Sequence, residues 1–127
     1  MLPSSKTNYV AVEMNFLSDM MQRYTLQIRV DEDWYLERYP DVVEGIAEGK
    51  VKSAADHYAR FGFFEHRMPY PIHVDESFYL SQYEDVSTAV QRRTFSSGQA
   101  HFEEVGYREG RIPYPNFRLA VRELQAA

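Results

Sequence analysis

The sequence predicts an all-α protein built from two tandem helical repeats. Residues 30–71 recur at 74–115 without a gap, at a spacing of 44 positions (74 minus 30). No segment shows the sustained alternation of apolar and polar residues that is typical of a strand. A fixed period of about 20–50 residues indicates stacked units, none of which buries its apolar face alone. The predicted segments are 1–29 for an N-terminal helix, 30–73 and 74–117 for the repeats, and 118–127 for a C-terminal helix or tail.

Composition narrows the class of protein. The 127-residue chain is long enough to bury a core unaided, and the absence of cysteine excludes thiolate metal sites and thiol nucleophiles. A net charge of -5 argues against a nucleic-acid partner. No run approaches the ~20 apolar residues that span a bilayer, and the N-terminus lacks a signal-peptide pattern. We expect a protein made in the cytoplasm, not inserted in a membrane, that leaves the cell only within a larger assembly.

Residues 5–29 are predicted to form one long helix. Ser5 or Asn8 would cap its start, and Phe16 and Met20 widen an apolar stripe that is spaced by four and three residues in turn. The stripe has two interpretations. The helix packs on the repeats of its own chain, or it pairs with copies of itself and makes the protein a homo-oligomer. The stripe consists of Val10, Met14, Leu17, Met21, Tyr24 and Ile28.

Each repeat is predicted to begin with a capped helix. Asp31 and Asp75 stand where a short acceptor side chain satisfies the free N–H groups of a helix start. In the first repeat Pro40 predicts a break in the helix. The second repeat has Glu84 at that place, so we expect an unbroken helix over 76–92. The residues expected to be buried at matching positions are Trp34, Tyr35 and Leu36, and Phe78, Tyr79 and Leu80.

Each repeat is predicted to end with a third helix and an extended exit. Ser53 and Ser96 are the expected caps of the third helices. Gly62 and Gly106 are expected to end them, because glycine adopts the left-handed conformation that closes a helix. A Pro-Tyr-Pro segment then leaves each repeat in an extended conformation. After the second exit, residues 116–125 are predicted to close the chain as a short helix.

His57 and His101 are the first candidates for catalysis or metal binding. A helical metal site needs a second ligand three or four residues away, and this pattern is not repeated: Glu104 follows His101, whereas Arg60 follows His57. We predict instead that each ring hydrogen-bonds the backbone of the neighbouring repeat. The acidic residues run consecutively, unlike a calcium loop, and no nucleophile elbow, phosphate-binding glycine loop or zincin helix is present. The sequence predicts no enzyme, no cofactor and no metal.

The twice-written string Glu-x-Arg-x-Pro-Tyr-Pro supplies the candidate ligand site. Because the two exits recur at a fixed period, Arg67, Tyr70, Arg111 and Tyr114 are expected to lie in a row on one side of the stack. Such a row would suit a repeating polymer. The guanidinium groups also have a structural interpretation, in which each pairs with a nearby carboxylate and fixes the turn before the exit.

Three strings carry a resemblance to a known repeat. They are Asp33-Trp34-Tyr35-Leu36 with Tyr39-Pro40-Asp41-Val42, Ser53-Ala54 with His57-Tyr58 and Phe61-Gly62, and Gly106-Tyr107-Arg108-Glu109-Gly110-Arg111 with Pro113. Together they resemble the "YYLxxYPDV…HYxxxGxxEGRxP" unit that many alphaproteobacterial proteins carry in tandem, often beside glycosyltransferase or rhamnan-synthesis domains. The resemblance covers residues 30–115. The chain departs from the unit at His66, where Gly is usual, and at Glu84, where Pro is usual.

The resemblance implies a non-catalytic module that works alongside bacterial surface polysaccharide, in its synthesis or its recognition. It supplies no catalytic residues. Our leading interpretation is an adaptor or attachment subunit, joined to copies of itself or to a larger assembly through the N-terminal helix, that presents the repeats to a polysaccharide or a protein. A subunit of a phage-like particle that contacts capsule is one form of it. The alternative is a cytoplasmic scaffold that docks a polysaccharide glycosyltransferase.

Overall fold

The computed structural model describes residues 9–122. Its fold class is all-α, as predicted, because these residues form helices and one isolated antiparallel bridge but no named strand. Among them no helix is both long enough and apolar enough to cross a bilayer. The helices are α1 (Met14–Gln27), α2 (Glu32–Arg38), α3 (Pro40–Ala47), α4 (Ala54–His57), α5 (Glu76–Gln82), α6 (Glu84–Gln91) and α7 (Gly98–His101). Helices α4 and α7 continue as π-helical turns at Tyr58–Gly62 and Phe102–Gly106.

Helix α1 is shorter than the predicted helix over 5–29. Residues 9–13 are not helical, and their β-branched Val10 and Val12 have low helix propensity. The helix ends at Gln27 because Ile28 turns extended and forms the bridge with Val121. The predicted caps Ser5 and Asn8 lie outside the described residues.

The C-terminal end of α1 packs on the first repeat. The Thr25 side chain is buried and its hydroxyl donates to the Ala59 carbonyl over 3.0 Å. Ile28 is buried in the core of the first repeat, and Ile72, which lies 44 positions later (72 minus 28), is buried in the core of the second. The end of α1 therefore packs on the first repeat in the same way as the exit of the first repeat packs on the second repeat.

The predicted aspartate caps are confirmed, but the unbroken helix over 76–92 is wrong. Asp31 accepts from the Trp34 amide and Asp75 from the Phe78 amide, each over 3.1 Å. The second repeat breaks at Tyr83 even though no proline follows it. The Tyr83 hydroxyl accepts from the Ile112 amide over 2.9 Å, as the Tyr39 hydroxyl does from Met68. A tertiary contact at the tyrosine thus accompanies the break in both repeats, with or without proline.

The third helices start at equivalent serines. Ser53 accepts from the Asp56 amide over 3.0 Å, as predicted. In the second repeat the cap is Ser97 and not Ser96, since Ser97 accepts from the Ala100 amide over 3.0 Å. The carboxylates of the first helices reach across to the same starts: Glu32 accepts from the amides of residues 54 and 55, and Glu76 from those of residues 98 and 99. Each third helix is therefore capped from two sides.

The prediction that Gly62 and Gly106 adopt the left-handed conformation is wrong. These glycines continue the π-helical turns, and a Cβ at either would overlap a tyrosine hydroxyl, Tyr35 or Tyr79. They are glycines because of this close approach. The left-handed residues have φ between 61° and 78°. They are Gly49 and His66 in the first repeat, Arg93 and Gly110 at the matching positions of the second, and Asn116 after the second exit.

The predicted closing helix is not present over residues 116–122. Backbone groups there pair with the end of α1 instead: Arg29 donates to the Ala120 carbonyl over 2.8 Å, and Arg122 donates to the Gln27 carbonyl over 2.6 Å. Leu119 packs against the core clusters of both repeats. The C-terminal segment therefore joins the first repeat, the second repeat and α1.

Two core clusters hold the fold together, one for each repeat. Tyr35 and Tyr79 are fully buried at their centres, as predicted. The flanking residues Trp34, Leu36, Phe78 and Leu80 are only half-buried, so that part of the burial prediction is wrong. Trp34 contacts both clusters and links the repeats.

Candidate functional site

Each histidine is held by the central tyrosine of its own repeat. The Tyr35 hydroxyl lies 2.8 Å from His57 Nδ1, and the Tyr79 hydroxyl lies 2.8 Å from His101 Nδ1. The predicted partner, the backbone of the neighbouring repeat, is therefore wrong. The contact pairs two buried or half-buried polar groups that would otherwise be costly to desolvate.

Burial favours the neutral form of both histidine rings. It lowers the pKa of both His57 and His101 below the usual value, and the guanidinium of Arg67 or Arg111 lowers each further. Burial also raises the pKa of Tyr35 and Tyr79. Both shifts favour a neutral imidazole beside a protonated phenol.

The arginines of the predicted ligand row are engaged within their own repeats. Arg67 donates two hydrogen bonds to Asp41, both over 2.8 Å, and its Nε donates to Glu65 over 2.9 Å. Arg111 pairs with Asp85 over 2.8 and 2.7 Å. These bidentate pairs lower the pKa of both aspartates, that of Asp85 to about 2. The guanidinium groups therefore tie the third-helix exits to the second helices.

The arginines also lie over aromatic rings of the same repeat. The Arg67 guanidinium is 4.9 Å from the centroid of the Tyr39 ring, and that of Arg111 is 4.8 Å from the Tyr83 ring. Cation–π contact of this kind adds to the ion pair. Each guanidinium is thus held by both a carboxylate and a ring.

The two tyrosines of the predicted row have different environments. Tyr70 is 8% exposed, and its hydroxyl accepts from the Ala120 amide over 2.7 Å. Tyr114 is 37% exposed and packs edge-on against Phe117. Of the four predicted ligand residues, Tyr114 has the most exposed side chain, and it is not held by a hydrogen bond or an ion pair to any residue within 9–122.

The predicted oligomerisation stripe divides into a buried and an exposed part. Ile28 is buried in the core of the first repeat, and Met21 is half-buried. Met14 is 73% and Leu17 40% exposed, and Val10, which precedes the helix, is 82% exposed. Both interpretations of the stripe therefore have a physical basis: its end packs within the chain, and its beginning remains uncovered.

A cleft in the first repeat lies beside His57. It has a volume of about 590 Å³. His57 and the half-exposed Phe61 ring lie 5.7 Å apart between centroids. The lining residues are Asp41, Glu44, Gly45, Glu48, Lys50, Val51, His57 and Phe61.

The second repeat carries an aromatic ring at the corresponding place. Phe95 lies 44 positions after Val51 and packs edge-on against His101, with ring centroids 4.8 Å apart. His101 is buried, whereas His57 is half-buried. Sequence reasoning missed this cleft because exchange of Val51 for Phe95 looks like a conservative apolar change. The sequence signal for the cleft was that Val51 is a shorter side chain than Phe95 at a position that the repeat places near a histidine.

Within residues 9–122, no group of three or more His, Cys, Asp or Glu side chains could hold a metal ion. No family model matches the chain, and neither a curated protein nor a solved structure is significantly similar to it.

Proposed function

We propose that this protein is a non-catalytic adaptor or attachment subunit that assembles through α1 and works alongside bacterial surface polysaccharide. The observation that carries the assembly step is the uncovered beginning of α1. Met14, Phe16 and Leu17 are exposed there, while the end of the same helix is anchored in the first repeat. A continuous exposed apolar face on an anchored helix is typical of a binding surface.

The helix presents this surface in a defined direction. Thr25 and Ile28 fix the end of α1 to the core, and Arg122 pairs with Gln27 at the same end. A partner helix on the free end would therefore be held at a set angle to the repeats. This arrangement suits a subunit that must hold its repeats outward from an assembly, such as a phage-like particle that contacts capsule.

The polysaccharide part of the proposal is supported by the resemblance of residues 30–115 to the alphaproteobacterial unit. The exposed Tyr114 ring is the part of the predicted row that a sugar polymer could contact. A single ring binds weakly. Several copies in one oligomer could raise the avidity by about 10² or more without any new contact.

Light scattering on the full chain tests the assembly step. We expect an oligomer for the wild type and a monomer for Met14→Glu/Leu17→Glu, because two charges would interrupt the apolar face. Asn15→Glu is the matched control: it places a charge on the polar side of the same turns and should leave the oligomer intact. A monomeric wild type, or an oligomeric double variant, would overturn self-association.

Binding of the oligomer to acidic and neutral bacterial polysaccharides tests the second step. Tyr114→Ala should lower retention on an immobilised polysaccharide at an unchanged melting temperature, and Tyr114→Phe, which keeps the ring, is the control. Tyr70→Ala is unsuitable because it removes a buried ring and the partner of Ala120. Equal retention of Tyr114→Ala and the wild type would remove this residue from the proposal.

A further inference from the structure

The cleft of the first repeat is open at the place where the second repeat is filled by its own side chain. Phe95 covers the His101 ring in the second repeat. At the corresponding place Val51 is buried at the wall of the cleft and His57 lines the open space. A second difference also leaves more space in the first repeat: Gly45, which has no side chain, lines the cleft where the second repeat has Ala89. The second repeat therefore shows which kind of group fits against the histidine.

The rims of the two places also differ in charge. The first repeat has Glu44 and Glu48 where the second has Thr88 and Arg92. Asp41 is neutralised by Arg67, and Glu48 lies 2.8 Å from the exposed Lys50. Exposed pairs of this kind are weak. With both pairs formed, the lining residues keep one net negative charge, which Glu44 supplies, and the cleft therefore favours a cation.

We propose that this cleft binds an aromatic side chain of a partner protein that carries a lysine or arginine next to the aromatic residue. The ring would take the place that Phe95 takes in the second repeat, edge-on against His57. The exposed Phe61 ring, whose centroid is 5.7 Å from that of His57, provides a second aromatic wall. The neighbouring cation would lie at the rim beside Glu44.

The volume and the surroundings of the cleft agree with such an occupant. About 590 Å³ holds an aromatic side chain with part of its backbone and lies in the range of small-ligand sites. Arg60 lies over Phe61, with its guanidinium 5.1 Å from the ring centroid, and pairs with Asp56 at 3.4 Å. That cation is engaged by its own carboxylate, so it leaves Glu44 for the ligand.

This inference goes beyond the proposed function and uses a different part of the chain. Self-association uses the beginning of α1, whereas the cleft lies between α3 and the third helix of the first repeat. The oligomeric state is thus a separate readout, and failure of one proposal leaves the other standing.

The test is a titration of the full-length ¹⁵N-labelled chain, followed by NMR, with the peptide Ac-Lys-Phe-Lys-NH₂. We expect saturable shifts of the backbone amides of Gly45, His57 and Phe61, with a dissociation constant in the millimolar range. Ac-Lys-Ala-Lys-NH₂ removes the ring and Ac-Glu-Phe-Glu-NH₂ reverses the charge. Both should bind at least about tenfold more weakly, since each loses one of the two contacts.

Two variants locate the binding in the cleft. Val51→Phe copies the second repeat and should abolish the shifts, while Val43→Phe adds the same ring on the exposed face of α3 and should leave them unchanged. Glu44→Gln keeps the shape of the rim and should weaken binding about threefold to tenfold. The melting temperature of each variant establishes that it is folded.

Several results would overturn the inference. They are shifts confined to other residues, unchanged binding to a folded Val51→Phe, and equal binding of the lysine and glutamate peptides. The last ligand to be titrated is a neutral methyl hexoside. If it shifts the amides of His57 and Phe61 while the lysine peptide does not, the cleft binds sugar and the proposed protein partner is wrong.

Discussion

The two repeats have the same internal contacts but different surfaces. The tyrosine–histidine contact, the arginine–aspartate pair and the bond from an exit amide to a helix-breaking tyrosine all recur 44 residues apart with distances that agree within 0.1 Å. The residues around these contacts differ. Val51 and Phe95 decide whether the histidine faces a cleft or a ring.

Residues with the same contacts in both repeats stabilise the fold, whereas residues that differ between the repeats are candidates for a specific function. Glu32 and Glu76, which cap a helix 22 residues later, have the same role in both repeats. Glu44 and Thr88 have no such shared role, and they lie at the rim that differs. A difference between repeats in a shared frame is therefore a better guide to function here than a residue that occurs twice.

The largest expected effect tests whether the two repeats share one internal frame. Gly62→Ala and Gly106→Ala should each destabilise the protein by about 2–4 kcal/mol, because the added Cβ overlaps the hydroxyl of a fully buried tyrosine. Denaturant unfolding measures the change. Gly45→Ala is the control: its Cβ would lie 3.7 Å from the nearest Val51 atom, so we expect almost no loss.

A double-variant cycle makes the glycine prediction specific. Tyr35→Phe removes the hydroxyl that the new Cβ would meet, and it should recover part of the loss caused by Gly62→Ala even though Tyr35→Phe alone is destabilising. If the two losses simply add, the clash with the hydroxyl is not the cause. If the two glycine variants differ by several kcal/mol, the repeats do not share one frame.

The sequence predicted contacts that lie close together along the chain. Asp31, Asp75 and Ser53 cap helices whose amides are three residues away, so local chemistry was sufficient. The break at Tyr83 was not predicted because it involves a hydrogen bond from residue 112. The helix expected at 116–125 is absent over 116–122, where backbone groups pair with residues 27–29 instead. The sequence of each local segment contains no information on these distant partners.

The candidate site was the least predictable part. Arg67 and Arg111 stood out because they occur twice, yet each is engaged by an aspartate 26 residues earlier. The cleft depends on one side chain that is too short to fill it and on the fold that places this residue beside His57. Periodicity detects what two repeats share, whereas the cleft results from a difference between them.

A smaller effect sharpens the comparison at the left-handed positions. Each repeat has glycine at one of two equivalent positions and a side chain at the other: Gly49 corresponds to Arg93, and His66 to Gly110. His66→Gly and Arg93→Gly should each stabilise the protein by about 0.5–1 kcal/mol, because a Cβ is strained in this conformation. Gly49→Ala and Gly110→Ala should destabilise it by about 1 kcal/mol.

The surroundings of Gly49 and Gly110 allow the cost of backbone strain to be measured without a contribution from steric clash. A Cβ at Gly49 or Gly110 would meet no atom within 4 Å, so the expected loss comes from backbone strain alone. Thermal unfolding of the four variants gives the comparison directly. No gain for His66→Gly would mean that the His66 side chain contributes as much as its strain costs.

The smallest expected effect concerns the interface between the repeats. Tyr58 is fully buried and its hydroxyl has no hydrogen-bond partner among the described residues, while the second repeat has Phe102 at this place. Burial, and then the nearby Tyr107 hydroxyl, raise the pKa of Tyr58. Because removing an unpaired buried hydroxyl relieves its desolvation cost, Tyr58→Phe should leave the free energy of unfolding unchanged or raise it by up to about 1 kcal/mol.

Tyr35→Phe, which removes a paired hydroxyl, is the control, and its free energy of unfolding should fall by about 1 kcal/mol. A comparable loss for Tyr58→Phe would contradict this prediction. It would indicate that the Tyr58 hydroxyl bonds to Tyr107 of the second repeat, so that the tyrosine at this place stabilises the contact between the repeats.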